Sequence, residues 1–135
     1  MGCWAIGSFG NDSAADWLID LTKTSDLSLV RETIARALVA EEYLDSPDAT
    51  DALAAIEVVV AALGRPTTEA QNETELLEWI ARVKPSPDAK LVSDAQQAID
   101  RILGPESELR ELWEDTEDFS DWQAEVTDLR SRLQV

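Results

Sequence analysis

From Ala52 to Leu63, eleven of twelve residues are apolar, and the exception is Glu57. A helix that is greasy on every side has no face to offer to water, so other elements must surround it. Alanines at positions 52, 54, 55, 61 and 62 let those neighbours approach closely. Twelve residues interrupted by a charge are too few to cross a bilayer. The run therefore reads as the central helix of a water-facing bundle. The rest of the chain must supply helices with one apolar stripe each.

The flanking sequence meets that demand. Ala14, Trp17, Leu18 and Leu21 recur at helical spacing in a segment from Asp12 to Lys23. A second helix is predicted from Leu27 to Leu44, with Val30, Ile34 and Leu38 inside. Ser46-Pro47 reads as the cap and first residue of the central helix, which Gly64 and Pro66 end. A fourth helix, Glu73 to Val83, carries Leu76, Trp79 and Ile80, with Asn72 and Glu75 at capping-box spacing. Ser86-Pro87 opens a fifth, with Ala95, Ile99 and Ile102 inside, and Gly104-Pro105 closes it. A short sixth helix holds Leu109, Leu112 and Trp113. The last, with Ser120 and Gln123 as a capping box, presents Trp122, Val126, Leu129 and Leu133. No segment alternates apolar and polar residues long enough for a strand. The pattern predicts one all-α domain over residues 1–135, a single compact multi-helix bundle of about six or seven helices.

The first residues differ in character. Gly2, Gly7 and Gly10 alternate with Trp4, Ile6 and Phe9, then Asn11, Asp12 and Ser13 offer cap side chains. Glycines permit close backbone approach and large aromatics favour burial, so this reads as an irregular packed arm against the bundle. Gly2, Trp4, Gly7, Phe9, Asn11, Asp12, Ala14, Asp16 and Trp17 form a string of nine fixed types in seventeen positions. That string resembles the opening of a bacterial family filed as domain of unknown function 4259. The Ala-rich Glu57 helix and Leu112-Trp113-Glu114 are similar as well, so the resemblance extends along the chain. Cys3-Trp4-Ala5-Ile6 departs from it, since relatives more often read Ala/Thr-Trp-Gly. The resemblance implies a bacterial cytoplasmic protein and implies no activity.

Chemistry is bounded by what the chain lacks and by its charge. It has no histidine and one cysteine, which removes intramolecular disulfides, the usual zinc sets and the Glu-x-x-His di-iron pattern. No positive n-region precedes an apolar run, since the first base is Lys23, so a soluble cytoplasmic protein is expected. With 28 acidic and 11 basic residues the net charge is −17. Nucleic acid and anionic membranes would be repelled, and a basic protein or a cation attracted. An acidic surface also serves solubility alone.

Glu57 is the first candidate, because a lone carboxylate in an apolar helix must be paired, hydrogen-bonded or protonated. It can pair with an arginine or accept hydrogen bonds from the arm, including the indoles of Trp4 or Trp17. It can join Glu41 of the second helix, with Asp16 or Asp12 nearby, as an oxygen site for Mg²⁺. Or it can reach the surface. Glu111-x-x-Glu114 and Glu125-x-x-Asp128 resemble the carboxylate helices of all-α nucleotide pyrophosphatases, though 28 acids in 135 residues make such spacings common by chance. The second candidate is the stretch from Glu106 to Asp121, with eight carboxylates, the single base Arg110, and Trp113 and Phe119 among them. It reads as a solvated face or as a docking surface with aromatic anchors, in which Trp113 and Glu114 take part. Together these features favour a non-enzymatic interaction protein binding a basic partner, of the immunity type. The alternative is a Mg²⁺-dependent carboxylate enzyme acting on a phosphorylated small molecule or nucleotide.

Overall fold

A computed structural model describes residues 12–39 and 43–133. Eight helices follow in order: α1 Asp12–Thr22, α2 Ser28–Val39, α3 Ser46–Ala62, α4 Thr68–Gln71, α5 Thr74–Val83, α6 Ala89–Ile102, α7 Glu108–Glu114 and α8 Phe119–Ser131. The chain is all-α, as its periodicity predicts. Among the described residues, the only β pairing is a single parallel bridge between Leu44 and Ser107. No described helix is long and apolar enough to cross a membrane.

Helix α3 is the axis of the molecule. Every residue from Ala52 to Ala61 is buried, Glu57 included, and α3 touches each of the other seven helices. An apolar surface all round has this outcome because every side gains by leaving water, at roughly 25 cal/mol per Å². Around it, α1 buries Ala14, Trp17, Leu18 and Leu21. The Trp17 indole donates to the Thr33 hydroxyl of α2 at 2.8 Å, and that hydroxyl donates to the Leu29 carbonyl. The Trp79 indole of α5 donates to the Thr24 carbonyl at 2.9 Å, fixing α5 against the α1–α2 turn. Both tryptophans thereby bury large apolar rings without stranding a donor.

Helix ends depart from the sequence expectation by small steps with clear causes. Helix α2 does not extend to Leu44, because Leu44 is spent on the bridge to Ser107. The cap of α3 is Asp45, whose carboxylate accepts from the Asp48 N–H, so Ser46 is already helical. The cap of α6 is Asp88, accepting from the Leu91 N–H, and not Ser86. Neither predicted capping box forms: α5 begins after Glu73 and α8 after Asp118, each without a side-chain cap bond. Helix α4, a single turn, is an element the periodicity did not show. Gly64 ends α3 at φ 85°, where a side chain would be strained.

Candidate protein-interaction surface

The segment after α2 is stitched onto the start of α7. The Leu44 N–H donates to the Glu106 carbonyl at 2.8 Å, and the Glu108 N–H donates to the Leu44 carbonyl at 2.9 Å. The Ser46 N–H donates to the Glu108 carboxylate at 2.7 Å. Leu44 and Ser107 are fully buried, and the Ser107 hydroxyl caps α7 by accepting from the Arg110 N–H. Extended backbone sends alternate side chains to opposite sides. With Leu44 turned inward, Tyr43 and Asp45 face water.

Tyr43 is 43% exposed, and its hydroxyl donates to the Glu111 carboxylate at 2.5 Å. That bond pushes its acid dissociation up to about 12, helped by partial desolvation and by the charges of Glu111, Glu108 and Glu106. A phenolate at this point would face three carboxylates, so the neutral form is favoured. Helix α7 is two-faced. Leu109 and Trp113 point into the core, while Glu111 and Leu112 point out, as does Asp115 just after the helix, and Leu112 is 42% exposed. Of the eight carboxylates between Glu106 and Asp121, only that of Glu108 is half-buried; the rest are exposed.

The aromatics that the sequence offered as anchors lie inside this face. Trp113 is 5% exposed and stacks on Trp122 at 6.1 Å between ring centres. Phe119 stacks on the same indole at 6.1 Å. Above Phe119 sits the Arg110 guanidinium, 5.9 Å from the ring centre. Its Nε lies 3.2 Å from the Glu114 carboxylate, off hydrogen-bond alignment and so an ion pair only. Its Nη1 donates to the Leu103 carbonyl at 2.9 Å. Trp113 is thus a core residue beneath the acidic face, and Glu114 is the partner of Arg110.

Of the remaining candidates the structure describes Glu57, Trp17 and Asp16. Glu57 is 4% exposed and accepts from the Thr67 hydroxyl at 2.6 Å. That hydroxyl accepts in turn from the Ala70 N–H, so the buried carboxylate orients the cap of α4. Trp17 bonds Thr33, while Asp16 is exposed on the far side of α1. Trp4, Asn11 and Glu41 lie outside the described residues, as do the rest of the proposed arm and the side chain of Asp12. Among the described residues no three carboxylate or cysteine side chains converge as metal ligands. In the two helix motifs, Glu111 holds Tyr43, Glu114 faces Arg110 and Asp128 pairs with Arg132. A groove of about 560 Å³ between Leu103 and the outer side of α8 has one carboxylate in its lining, Asp128. Tyr43 was not singled out in the sequence; its signal is to be the chain's one tyrosine, just ahead of the Asp45 cap.

A family described as domain of unknown function (DUF4259) matches the chain over residues 2–125. No curated protein and no solved structure matches it.

Proposed function

Since the chain belongs to that family, whose description carries no activity, we propose from its surface that it is a non-enzymatic interaction module for a basic protein. The observation that supports this is the outer face of α7 and the adjoining Tyr43. An exposed tyrosine and an exposed leucine stand among carboxylates with a net charge of −17 behind them. Carboxylates at the rim attract a cationic partner from a distance and orient it, while half-exposed apolar groups supply contact area once it arrives. A role in neutralising a basic toxin, as immunity proteins do, fits the same surface. The Mg²⁺-enzyme alternative has less support, because Glu111, Glu114 and Asp128 each serve a partner of their own.

The test is photo-cross-linking from position 112 in cell extract, with identification of the captured chain. A basic protein is expected, and its capture should fall at least tenfold when Glu106, Glu111, Glu114 and Asp115 are neutralised together to the amides. Capture that ignores this neutralisation overturns the reading. So does a rise in melting temperature with Mg²⁺ and a nucleotide, since a ligand at a hundred times its Kd adds about 2.7 kcal/mol.

A further inference from the structure

The surface at Tyr43 has a more specific chemistry than its charge. A tyrosine ring 43% exposed lies against a carboxylate, and its hydroxyl is the partner of Glu111 among the described residues. One turn along, the chain uses the same two kinds of group together. Arg110 sits over the Phe119 ring and beside the Glu114 carboxylate. A guanidinium is suited to both at once, because its flat face stacks on a ring while its edge meets a carboxylate. All eight arginines of the chain have partners elsewhere, so none of them takes the place beside Tyr43 and Glu111.

We propose that Tyr43, Glu111 and Glu106 form a docking site for an arginine side chain of the basic partner. This rests on the reading of the protein as an interaction module and adds the residue type it selects. The incoming guanidinium takes the Glu111 carboxylate from the tyrosine hydroxyl and lies against the Tyr43 ring. Glu106, at the adjoining end of the bridge, adds charge to the same place, since its backbone carbonyl accepts from the N–H of Leu44, the residue next to Tyr43, at 2.8 Å. Leu112, next to Glu111 and 42% exposed, offers apolar contact to the arginine stem or its neighbour. A lysine has the charge but neither the flat face nor the paired donors, so the site discriminates between the two bases.

The experiment titrates the full chain with two blocked peptides of equal charge. One carries two arginines in a glycine-serine background, and the other carries two lysines. Backbone amide shifts report both affinity and location. The arginine peptide is expected to bind roughly fivefold or more tighter, as stacking and a paired hydrogen bond together imply, with shifts centred on residues 43–46 and 106–112. Tyr43→Phe keeps the ring and frees Glu111, so arginine binding should hold or tighten. Tyr43→Ala and Glu111→Gln should each reduce it to the lysine level. Because both side chains face water, an unchanged helical spectrum checks that these variants fold. Equal affinity for the two peptides, or indifference to Tyr43→Ala, overturns the arginine site. Either result leaves the basic-partner reading to stand or fall on the cross-linking experiment, which does not depend on residue type.

Discussion

Tyr43 is the one tyrosine in the chain, so its ionisation can be followed by tyrosinate absorbance without interference from another. The hydrogen bond to Glu111 raises its midpoint from the ordinary 10 to about 12. The sign follows from linkage. The group binds its proton more tightly in the folded state, so the associated stability is fully present below pH 10 and fades as pH rises towards 12. In Glu111→Gln the midpoint should fall back towards 10, because the strongest cause of the shift is removed. A midpoint unchanged by that substitution would mean that the hydroxyl is held by something other than Glu111. This residue was hidden in the sequence for a physical reason. The apolar period of α2 can be continued through Leu44, and a single bridge has no period of its own to contradict it. Trp113 and Phe119 were visible but ambiguous, since an aromatic among charges can anchor a partner or roof the core. Stacking on Trp122 places both rings against the molecule's own interior.

At the scale of elements, the apolar stripes of α1, α5, α6 and α8 could all be read from spacing, because burial follows helical period, and α3 from its unbroken apolar run. The caps could not be read as well, because several suitable side chains stand together at each start. In Asp45-Ser46-Pro47 and Ser86-Pro87-Asp88 the aspartate wins, although the serine beside the proline has the commoner appearance. An aspartate at that point adds a negative charge to the positive end of the helix, which a serine does not. Asp45→Ala should therefore lower stability by about 1 kcal/mol, whereas Ser46→Ala should change it little. Ser46 contributes its backbone N–H to Glu108, and alanine retains that donor. Denaturant unfolding of the two variants decides the matter; a loss in Ser46→Ala with none in Asp45→Ala would assign the cap to Ser46 instead. The charge on Asp88 works in the same sense, because the Leu91 N–H and Arg31 hold its carboxyl below the ordinary 3.8. Its contribution persists above pH 3.8 and is lost as pH falls through that lowered value.

For the whole molecule, the Ala52–Leu63 run was enough to foresee a central helix with the others around it. It did not say which helix lies beside which, because a stripe reports that a face is buried and not what buries it. The acidity was equally plain, but the way it is displayed depends on tertiary contacts. Glu106, Glu108 and Glu111 stand near an exposed tyrosine only because residues 43–46 are tied to residues 106–108. That tie joins positions 62 apart in the chain, with α3 to α6 between them. Such a contact closes a long loop, and it becomes favourable only once the intervening helices have been placed. It should therefore be absent from the rate-limiting step of folding. Glu108→Ala, which leaves the Ser46 N–H without its partner, should quicken unfolding roughly fivefold for each 1 kcal/mol lost and leave the refolding rate alone. Stopped-flow kinetics would show a slowed refolding limb if the tie instead forms early. A Tyr43 surface assembled last would exist only on finished molecules, so a chain still being made, or one half-unfolded, would have nothing to display there.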